Sequence, residues 1–483
     1  MPDDNAPNVL LICADHWPAA MTRPAGHPVV MTPTFAHLSR SGVNYTNAYS
    51  ACPVCGPARR SLMTGLTCRS HGDRTFRSMP LPEVMTLAGA FRDAGYQSGA
   101  VGKLHVTPQR DRIGFDDVCL NEEGRCHGQG FADDYEQYLV ERGFGGMEFA
   151  SGMCNNDYLT RTWHLPDDCH PTNWTAAETC RMIHRRDPGR PGFWTMSFTA
   201  PHPPLWPLEA YMAQYRSVEM DATVTGAWAE NAQRLPWLLR QRLGRYAIEG
   251  APPHEVDLAR RAFYALITHI DHQIRVVIGY LREQGLIDNT IIAITSDHGE
   301  MLGDHRMWAK GVMYERSANV PLLIVPALKG QRVDVGRDDD RLAELRDVMP
   351  TLLDLAGVGI PDTVEGISLV GHERRSTLYG EIAEDETATR MLRDARYKLV
   401  YYPAGNHRQL FDLENDPREN HDLAGDPARA EDLSRLTEQL VERLYGSDEK
   451  WLDADGALVG LPDRPVTSSA RPDLLGQRGL RFP

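Results

Sequence analysis

The chain has 483 residues, of which 42% are hydrophobic and 24% charged, as in an ordinary globular protein. This composition excludes a disordered or fibrous chain, and the length allows one large α/β domain with an appendage. Lys and Arg number 51 against 66 Asp and Glu, a formal charge of −15, so no long-range field attracts nucleic acid or an anionic membrane. Any anionic substrate must therefore be bound by a local site.

Two features bear on where the protein resides. The sequence lacks an apolar run of about eighteen residues, and its start, MPDDNAPNVLLICADHW, contains neither a basic segment nor a cleavage site. The 9 cysteines are an odd number, all within the first 180 residues, which makes a poor disulfide framework. We therefore expect a cytoplasmic protein with reduced thiols and no membrane partner.

Strand and helix patterns alternate along the first two thirds of the chain. The first strand, 8–13, is a continuous apolar run of the kind buried on both faces of a parallel sheet. Four more β-type runs follow at 96–101, 192–198, 290–295 and 320–325. Helical patterns separate them, including 82–94 and a long amphipathic helix at 255–285. This alternation predicts a doubly wound α/β fold with a mixed, mostly parallel sheet.

Other segments depart from this pattern. Residues about 106–190 and 203–250 are rich in Trp, Pro, Asp and Gly, as expected of insertions that wall a pocket. After a helical pattern at 342–356 come short β-type runs and then a polar helix, at 390–392, 397–402, 409–413 and 427–445. We predict a catalytic α/β domain over 1–370, a small antiparallel α+β subdomain over 371–450, and an extended tail over 451–483 that contacts the body or a partner subunit.

Polar residues follow four of the predicted strands at the point where each strand ends. They are Asp15-His16, Lys103-Leu104-His105, Ala200-Pro201-His202 and Asp297-His298. Ligands of open α/β sheets bind beyond the carboxyl ends of the strands. We therefore expect these four groups to converge on one edge of the sheet.

The segment that begins at Cys52 allows several interpretations. Cys52 and Cys55 form a CxxC pair, which suggests a redox site with a thiolate at a helix N-terminus, or simply two packed thiols in a turn. The stretch Cys55-Gly56-Pro57-Ala58-Arg59, followed by Ser61-Leu62-Met63-Thr64-Gly65, resembles the CxPxR signature of the sulfatases in the alkaline phosphatase superfamily. The resemblance implies an alkaline-phosphatase-like fold and covers about residues 8–425.

The resemblance also implies a modified nucleophile. In the family this Cys is oxidised to formylglycine by a formylglycine-generating enzyme, which would be a partner of this chain. The aldehyde hydrates to a geminal diol, one hydroxyl attacks sulfur, and the other expels sulfate as the aldehyde re-forms. The helix predicted from about residue 58 would favour a developing oxyanion at its N-terminus.

Metal ligands are implied at two of the strand ends. Asp15-His16 and Asp297-His298 resemble the two metal-ligand pairs of the family, although Asp and Asn are usual at the positions of His16 and His298. One divalent ion held there would polarise a sulfate oxygen. The family implies calcium, whereas two imidazole ligands would favour manganese or zinc.

Further site residues follow from the same resemblance. Arg59 is expected to hold the formylglycine hydrate, although a surface arginine is the alternative. Lys103 and His105 match a GKxH motif that touches nucleophile and sulfate, and Lys310 matches a second sulfate-binding lysine. His202, in a PHxP motif, is expected to face the leaving-group oxygen as a general acid.

These residues predict a metal-dependent hydrolase of small-molecule sulfate monoesters that cleaves the S–O bond. One alternative is a phosphonate monoester or phosphodiester hydrolase with the same nucleophile, since both substrate types carry one negative charge. Another is a non-catalytic binding protein that keeps Cys55 as a thiol. The tail permits a homo-oligomer, and the pocket-wall insertions carry no motif that identifies the natural alcohol.

Overall fold

The computed structural model describes residues 6–125, 131–153, 155–329 and 332–467. Its main sheet has eight strands in the order β4-β3-β5-β1-β6-β7-β2-β8. They are β1 (Asn8–Ala14), β2 (Val43–Tyr49), β3 (Gln97–Gly102), β4 (Asp117–Leu120), β5 (Gly192–Ser197), β6 (Thr290–Ser296), β7 (Leu322–Val325) and β8 (Arg337–Glu344). Only β7 runs antiparallel to its neighbours, so the mixed, mostly parallel sheet is confirmed.

The sequence of strand β1 explains why both faces of the sheet are buried. Leu10 and Ile12 pack in the hydrophobic cluster on one face of the sheet, whereas Val9 and Leu11 pack in the cluster on the other face. Because successive side chains of a strand point to opposite faces, a run that is apolar at every position must be buried on both sides.

Helices lie on both faces of the sheet. They are α1 (Pro33–Leu38), α2 (Cys55–Thr64), α3 (Cys68–His71), α4 (Leu87–Asp93), α5 (Asp134–Glu141), α6 (Pro171–His184), α7 (Glu209–Tyr215), α8 (Ala227–Glu230), α9 (Trp237–Arg242), α10 (Pro253–Glu283), α11 (Glu315–Ala318) and α12 (Val348–Leu355). The long helix predicted from the amphipathic pattern is confirmed as α10. Among the described residues, no helix combines the length and apolarity needed to cross a membrane.

Some boundaries differ from those predicted. The helical pattern at 342–356 is divided between the end of β8 and α12, because Leu342–Glu344 pair with Asn47–Tyr49 of β2. Helix α2 begins at Cys55 rather than near residue 58. The two predicted insertions contribute to the core as well as to the pocket wall, since α6 of the first carries buried Met182 and Ile183.

A second, four-stranded antiparallel sheet follows in the C-terminal region. It consists of β9 (Leu378–Ile382), β10 (Thr389–Arg393), β11 (Tyr397–Tyr402) and β12 (His407–Asp412), and helix α13 (Ala430–Val441) packs on it. The chain then returns to α9, where Pro465 O accepts a hydrogen bond from Trp237 Nε1 at 3.1 Å. Residues 468–483 of the predicted tail lie outside the described residues. The boundaries of the three predicted segments stay predictions.

Strands β3 and β5 approach each other closely at their carboxyl ends, and this contact allows a prediction about stability. Gly102 has φ +99°, and a Cβ there would lie 1.9 Å from Ser197 O. Gly102→Ala is therefore expected to lower the free energy of unfolding by about 3 kcal/mol, measured by urea denaturation.

The matched control is Gly143→Ala, since Gly143 has φ +81° but nothing within 4 Å of the added methyl group. It should cost only the backbone penalty of about 1 kcal/mol. Equal losses in the two variants would contradict the role assigned to the contact with Ser197.

Candidate active site

Cys55 is the first residue of α2 and lies at the carboxyl edge of the main sheet. Its thiol is buried, with the Sγ atom 3.2 Å from His298 Nε2 and 3.8 Å from Asp15 Oδ1. Burial and Asp15 raise the pKa of this thiol, but Lys310, Lys103 and His298 outweigh them, and the net pKa is below the usual value. The free N–H groups of the first helical turn favour negative charge at the same place.

Cys52 does not share this environment. Its thiol donates to Arg74 O at 3.7 Å, and both Cys52 and Cys55 are free thiols. Cys55 contacts ionisable side chains of the strand ends and is not bonded to Cys52, so the geometry does not support the CxxC redox interpretation.

Arg59 connects α2 to three strand ends. Its Nε donates to Asp297 Oδ2 at 2.8 Å, and its Nη1 donates to Lys103 O at 2.7 Å and to Ser197 Oγ at 2.8 Å. The residue is 3% exposed, which excludes the alternative of a surface arginine. A charge-assisted network of this kind fixes the helix that carries Cys55.

The two predicted metal-ligand pairs meet beside Cys55. His298 Nε2 lies 3.5 Å from Asp15 Oδ1 and 3.6 Å from Asp297 Oδ1, and His16 Nε2 lies 3.7 Å from Asp15 Oδ1. All four residues are at most 1% exposed. The strand ends β1 and β6, which are adjacent in the sheet, thus bring together ligand types separated by about 280 positions in the sequence.

Hydrogen bonds fix which nitrogen of each imidazole faces the site. His298 Nδ1 lies 3.0 Å from Gly299 O, and His16 Nδ1 lies 2.8 Å from Glu300 Oε2. Since a carbonyl or carboxylate oxygen only accepts, we assign the proton to Nδ1 in both rings. This tautomer leaves the Nε2 lone pair of His298 facing Cys55 and the two carboxylates, and that of His16 facing Lys310 Nζ.

Glu300 is a functional candidate that the sequence did not identify, although it lies close to Asp297 in the chain. Its carboxylate also accepts from Tyr158 Oη at 2.6 Å, Leu302 N at 3.0 Å and Ala309 N at 2.5 Å. The side chain thereby joins His16 to the insertion and to the loop that ends at Lys310. The only signal for Glu300 in the sequence was its position two residues after the predicted metal-ligand pair Asp297-His298.

Two lysines face the same space. Lys103 Nζ is buried, contacts Asp15 Oδ2 and donates to Glu123 Oε1 at 2.8 Å. Burial lowers its pKa, but Asp15 and Glu123 raise it further, so Lys103 stays charged. Lys310 Nζ lies 2.5 Å from His16 Nε2. Glu123 belongs to a loop of the first insertion and was not predicted, because only the fold brings it to Lys103.

The other two histidines predicted for the site, His105 and His202, have buried, neutral rings. His202 Nδ1 lies 2.6 Å from Pro203 O, and neither His202 Nε2 nor the ring nitrogens of His105 have a hydrogen-bond partner among the described residues. Burial lowers the pKa of both rings well below its usual value, and Lys310 adds to the effect at His202 and Lys103 at His105. Glu122, also not predicted, holds His105 in place by accepting from its backbone N–H at 2.9 Å.

The structure thus gathers the predicted site residues at one edge of the sheet. Ligand atoms of Asp15, His16, Cys55 and His298 all lie within 4.8 Å of one another, and so do those of Asp15, Glu123 and His202. Asp297 and Lys310 adjoin the first group, Lys103 adjoins the second, and Arg59 connects the two through Asp297 and Lys103. His105 lies two residues after Lys103, and its ring contacts that of Phe76.

Comparisons with known proteins agree with this geometry. Residues 7–358 match the family model described as Sulfatase, and residues 303–445 match the model described as N-sulphoglucosamine sulphohydrolase, C-terminal. The chain is 34% identical to an arylsulfatase of Clostridium perfringens, over 94% of this chain and 98% of that protein. It is 29% identical to the multifunctional alkaline phosphatase superfamily protein PehA of Trinickia caryophylli, over 88% of this chain and 92% of that protein.

A solved structure shows the same architecture. The phosphonate monoester hydrolase of Agrobacterium radiobacter superimposes with a TM-score of 0.76 at 26% identity, over 90% of this chain and 95% of that chain. The CxPxR resemblance is therefore confirmed at the level of the whole chain. The chain belongs to the sulfatase family of the alkaline phosphatase superfamily and is a sulfuric ester hydrolase.

Proposed function

We propose that the protein cleaves the S–O bond of small-molecule sulfate monoesters, with formylglycine made from Cys55 as the nucleophile and one divalent cation as cofactor. The observation that carries the proposal is the position of Cys55 Sγ, 3.2 Å from His298 Nε2 and 3.8 Å from Asp15 Oδ1. The candidate nucleophile, the candidate metal-ligating atoms and two lysines thus lie together at one edge of the sheet, which supports the proposal.

The donor set fits a cation. Neighbouring ligand atoms around a divalent metal stand about 3 to 3.5 Å apart, given bond lengths of about 2.0 to 2.4 Å. The separations of 3.5, 3.6 and 3.7 Å among Asp15, His16, Asp297 and His298 are close to these values. The cation would polarise a sulfate oxygen and lower the pKa of the nucleophile. Two imidazole donors favour manganese or zinc over the calcium that the family implies.

The surroundings of Cys55 also fit formylglycine. Its hydrate would supply one hydroxyl as the nucleophile and a second that expels sulfate. The residue lies at the N-terminus of α2, where backbone N–H groups stabilise an anionic oxygen. Since Cys55 is 4% exposed, a formylglycine-generating enzyme would have to act on the chain before it folds.

The remaining predicted site residues bind the anion, fix α2 or transfer one proton. Lys103 and Lys310 offer ammonium groups to sulfate oxygens, and Arg59 fixes α2. His202 carries its proton on Nδ1, toward Pro203 O, so its Nε2 must take up a proton before it can donate one to the departing alkoxide. The negative charge of a bound ester favours this protonation.

A phosphonate monoester or phosphodiester hydrolase is the second candidate. The structural similarity to the Agrobacterium radiobacter enzyme favours it, and its substrates also carry one negative charge. The geometry of Cys55 and the cation ligands suits either ester, so only turnover separates the two functions. The cytoplasmic location and the homo-oligomer stay predictions.

Modification of Cys55 is tested by peptide mass spectrometry of natively expressed protein. The peptide that contains residue 55 is expected to weigh about 18 Da less than its thiol form. Cys55→Ala should abolish turnover of an aryl sulfate and leave the thermal unfolding curve unchanged, whereas the control Cys52→Ser should keep both the mass loss and the activity. An unmodified thiol in active protein would exclude this nucleophile, and one in inactive protein would favour the non-catalytic alternative.

Substrate class is tested by parallel kcat/KM measurements on an aryl sulfate and an aryl phosphonate monoester. We expect kcat/KM for the aryl sulfate to exceed that for the phosphonate by at least about tenfold. The ratio of the two values measures the differential binding of the two transition states. Turnover in ¹⁸O-water should place the label in sulfate and not in the alcohol, as cleavage of the S–O bond requires. A preference for the phosphonate would favour the second candidate function.

Metal dependence is tested by chelation. Native protein is expected to contain about one equivalent of divalent metal, to lose turnover on chelation, and to regain it better with manganese or zinc than with calcium. His298→Asn replaces a nitrogen ligand with oxygen and should shift the preference toward calcium. The control is His184→Asn, at an exposed position near the end of α6. Full activity in protein shown by elemental analysis to be metal-free would contradict the cofactor.

A further inference from the structure

An exposed aromatic ring packs beside the site. Phe76 is 37% exposed, yet its ring packs edge-to-face on His105, with the ring centroids 4.9 Å apart. It also adjoins the nucleophile turn, since a Cβ added to Gly56 would lie 2.9 Å from Phe76 Cδ2. The ring therefore contacts both Gly56, which follows Cys55, and His105, which lies two residues after Lys103.

The backbone holds this ring in an unfavourable conformation. Phe76 has φ +73°, in the left-handed region that bulky residues rarely adopt. The buried carboxylate of Asp73 stabilises the turn, because Oδ1 accepts from Thr75 N at 3.0 Å and Phe76 N at 3.1 Å. Asp73 Oδ2 in turn lies 3.5 Å from Arg60 Nε, on the helix that begins at Cys55. The turn is thus attached to the nucleophile helix itself.

Burial of the ring does not account for this arrangement. A turn that only needed to be stable would place a small or polar residue at a positive φ and would not expose a large apolar ring. Strained residues that the surrounding structure holds in place occur most often at functional sites. The position of the Phe76 ring beside Gly56 and His105 points to a function at the site.

The chemistry of the site indicates what that function is. The inner part of the cleft consists of charged and polar groups from the strand ends, which suit the sulfate. The alcohol part of an ester must project away from them toward solvent, where Phe76 is exposed and Lys310 is half-buried. Phe76 is a large apolar group exposed beside His105, and aromatic rings bind planar apolar groups through stacked or edge-to-face contacts.

We propose that Phe76 is a specificity residue that contacts the alcohol part of the substrate and selects esters of aromatic or other planar apolar alcohols over small alkyl esters. This inference rests on the proposed function, since it concerns the leaving group of the same reaction. It assigns no role to Phe76 in binding the sulfate or in the chemical step.

The test compares two esters in three variants. Phe76→Ala is expected to lower kcat/KM for phenyl sulfate about tenfold and for ethyl sulfate less than about twofold, with the inhibition constant of inorganic sulfate unchanged. Phe76→Tyr keeps the ring and should retain the aryl preference. The control Leu328→Ala removes a side chain that is 64% exposed and follows the antiparallel strand β7, at the opposite edge of the sheet. This variant should leave kcat/KM unchanged for both esters.

Equal losses for both esters in Phe76→Ala would show that the ring only supports the nucleophile turn and would overturn the proposal. No loss for either ester would overturn it as well. Thermal unfolding of each variant separates a loss of fold from a loss of contact, and Phe76→Leu replaces the alanine variant if that one unfolds. If the native enzyme hydrolyses phosphonate monoesters instead, the proposed function fails, and the phenyl-to-ethyl comparison with those esters still decides the role of Phe76.

Discussion

The buried guanidinium of Arg59 is the interaction on which the geometry of the site depends. It joins the nucleophile helix to the ends of β3, β5 and β6 through Lys103 O, Ser197 Oγ and Asp297. A buried charge costs several kcal/mol unless it is paired and hydrogen-bonded. Here one carboxylate and two neutral acceptors satisfy Nε and Nη1, while Nη2 has no hydrogen-bond partner among the described residues. Loss of this side chain would leave Asp297 without its partner and α2 without its connection to the strands.

The other charged groups of the site are also held by close partners. Lys103 lies between Asp15 and Glu123, and Glu300 holds the Nδ1–H of His16 so that Nε2 faces the cleft. A protein with a net charge of −15 thereby presents fixed cationic groups at one point. Because their partners hold them before any ligand arrives, binding an anion requires little reorganisation.

The sequence predicted the parts of the site that lie at strand ends or in a local motif. Asp15, Lys103, His202 and Asp297 follow apolar runs, and parallel strands bring their carboxyl ends to one edge. Strand β8 was missed because it is an edge strand whose first half, Arg-Asp-Asp-Asp, is charged and mostly exposed. Glu123 and Phe76 were missed for another reason: they come from loops, and only tertiary contacts place them beside Lys103 and Gly56.

The central claim is that a modified residue 55 and one cation share a single anion-sized space. The most direct measurement is a high-resolution electron-density map of the cleft, with anomalous scattering recorded at a metal absorption edge. The account predicts oxygen in place of the sulfur at residue 55 and one anomalous peak within ligand distance of Asp15, Asp297 and His298. A thiol sulfur at residue 55, with no cation density among those three side chains, would contradict it.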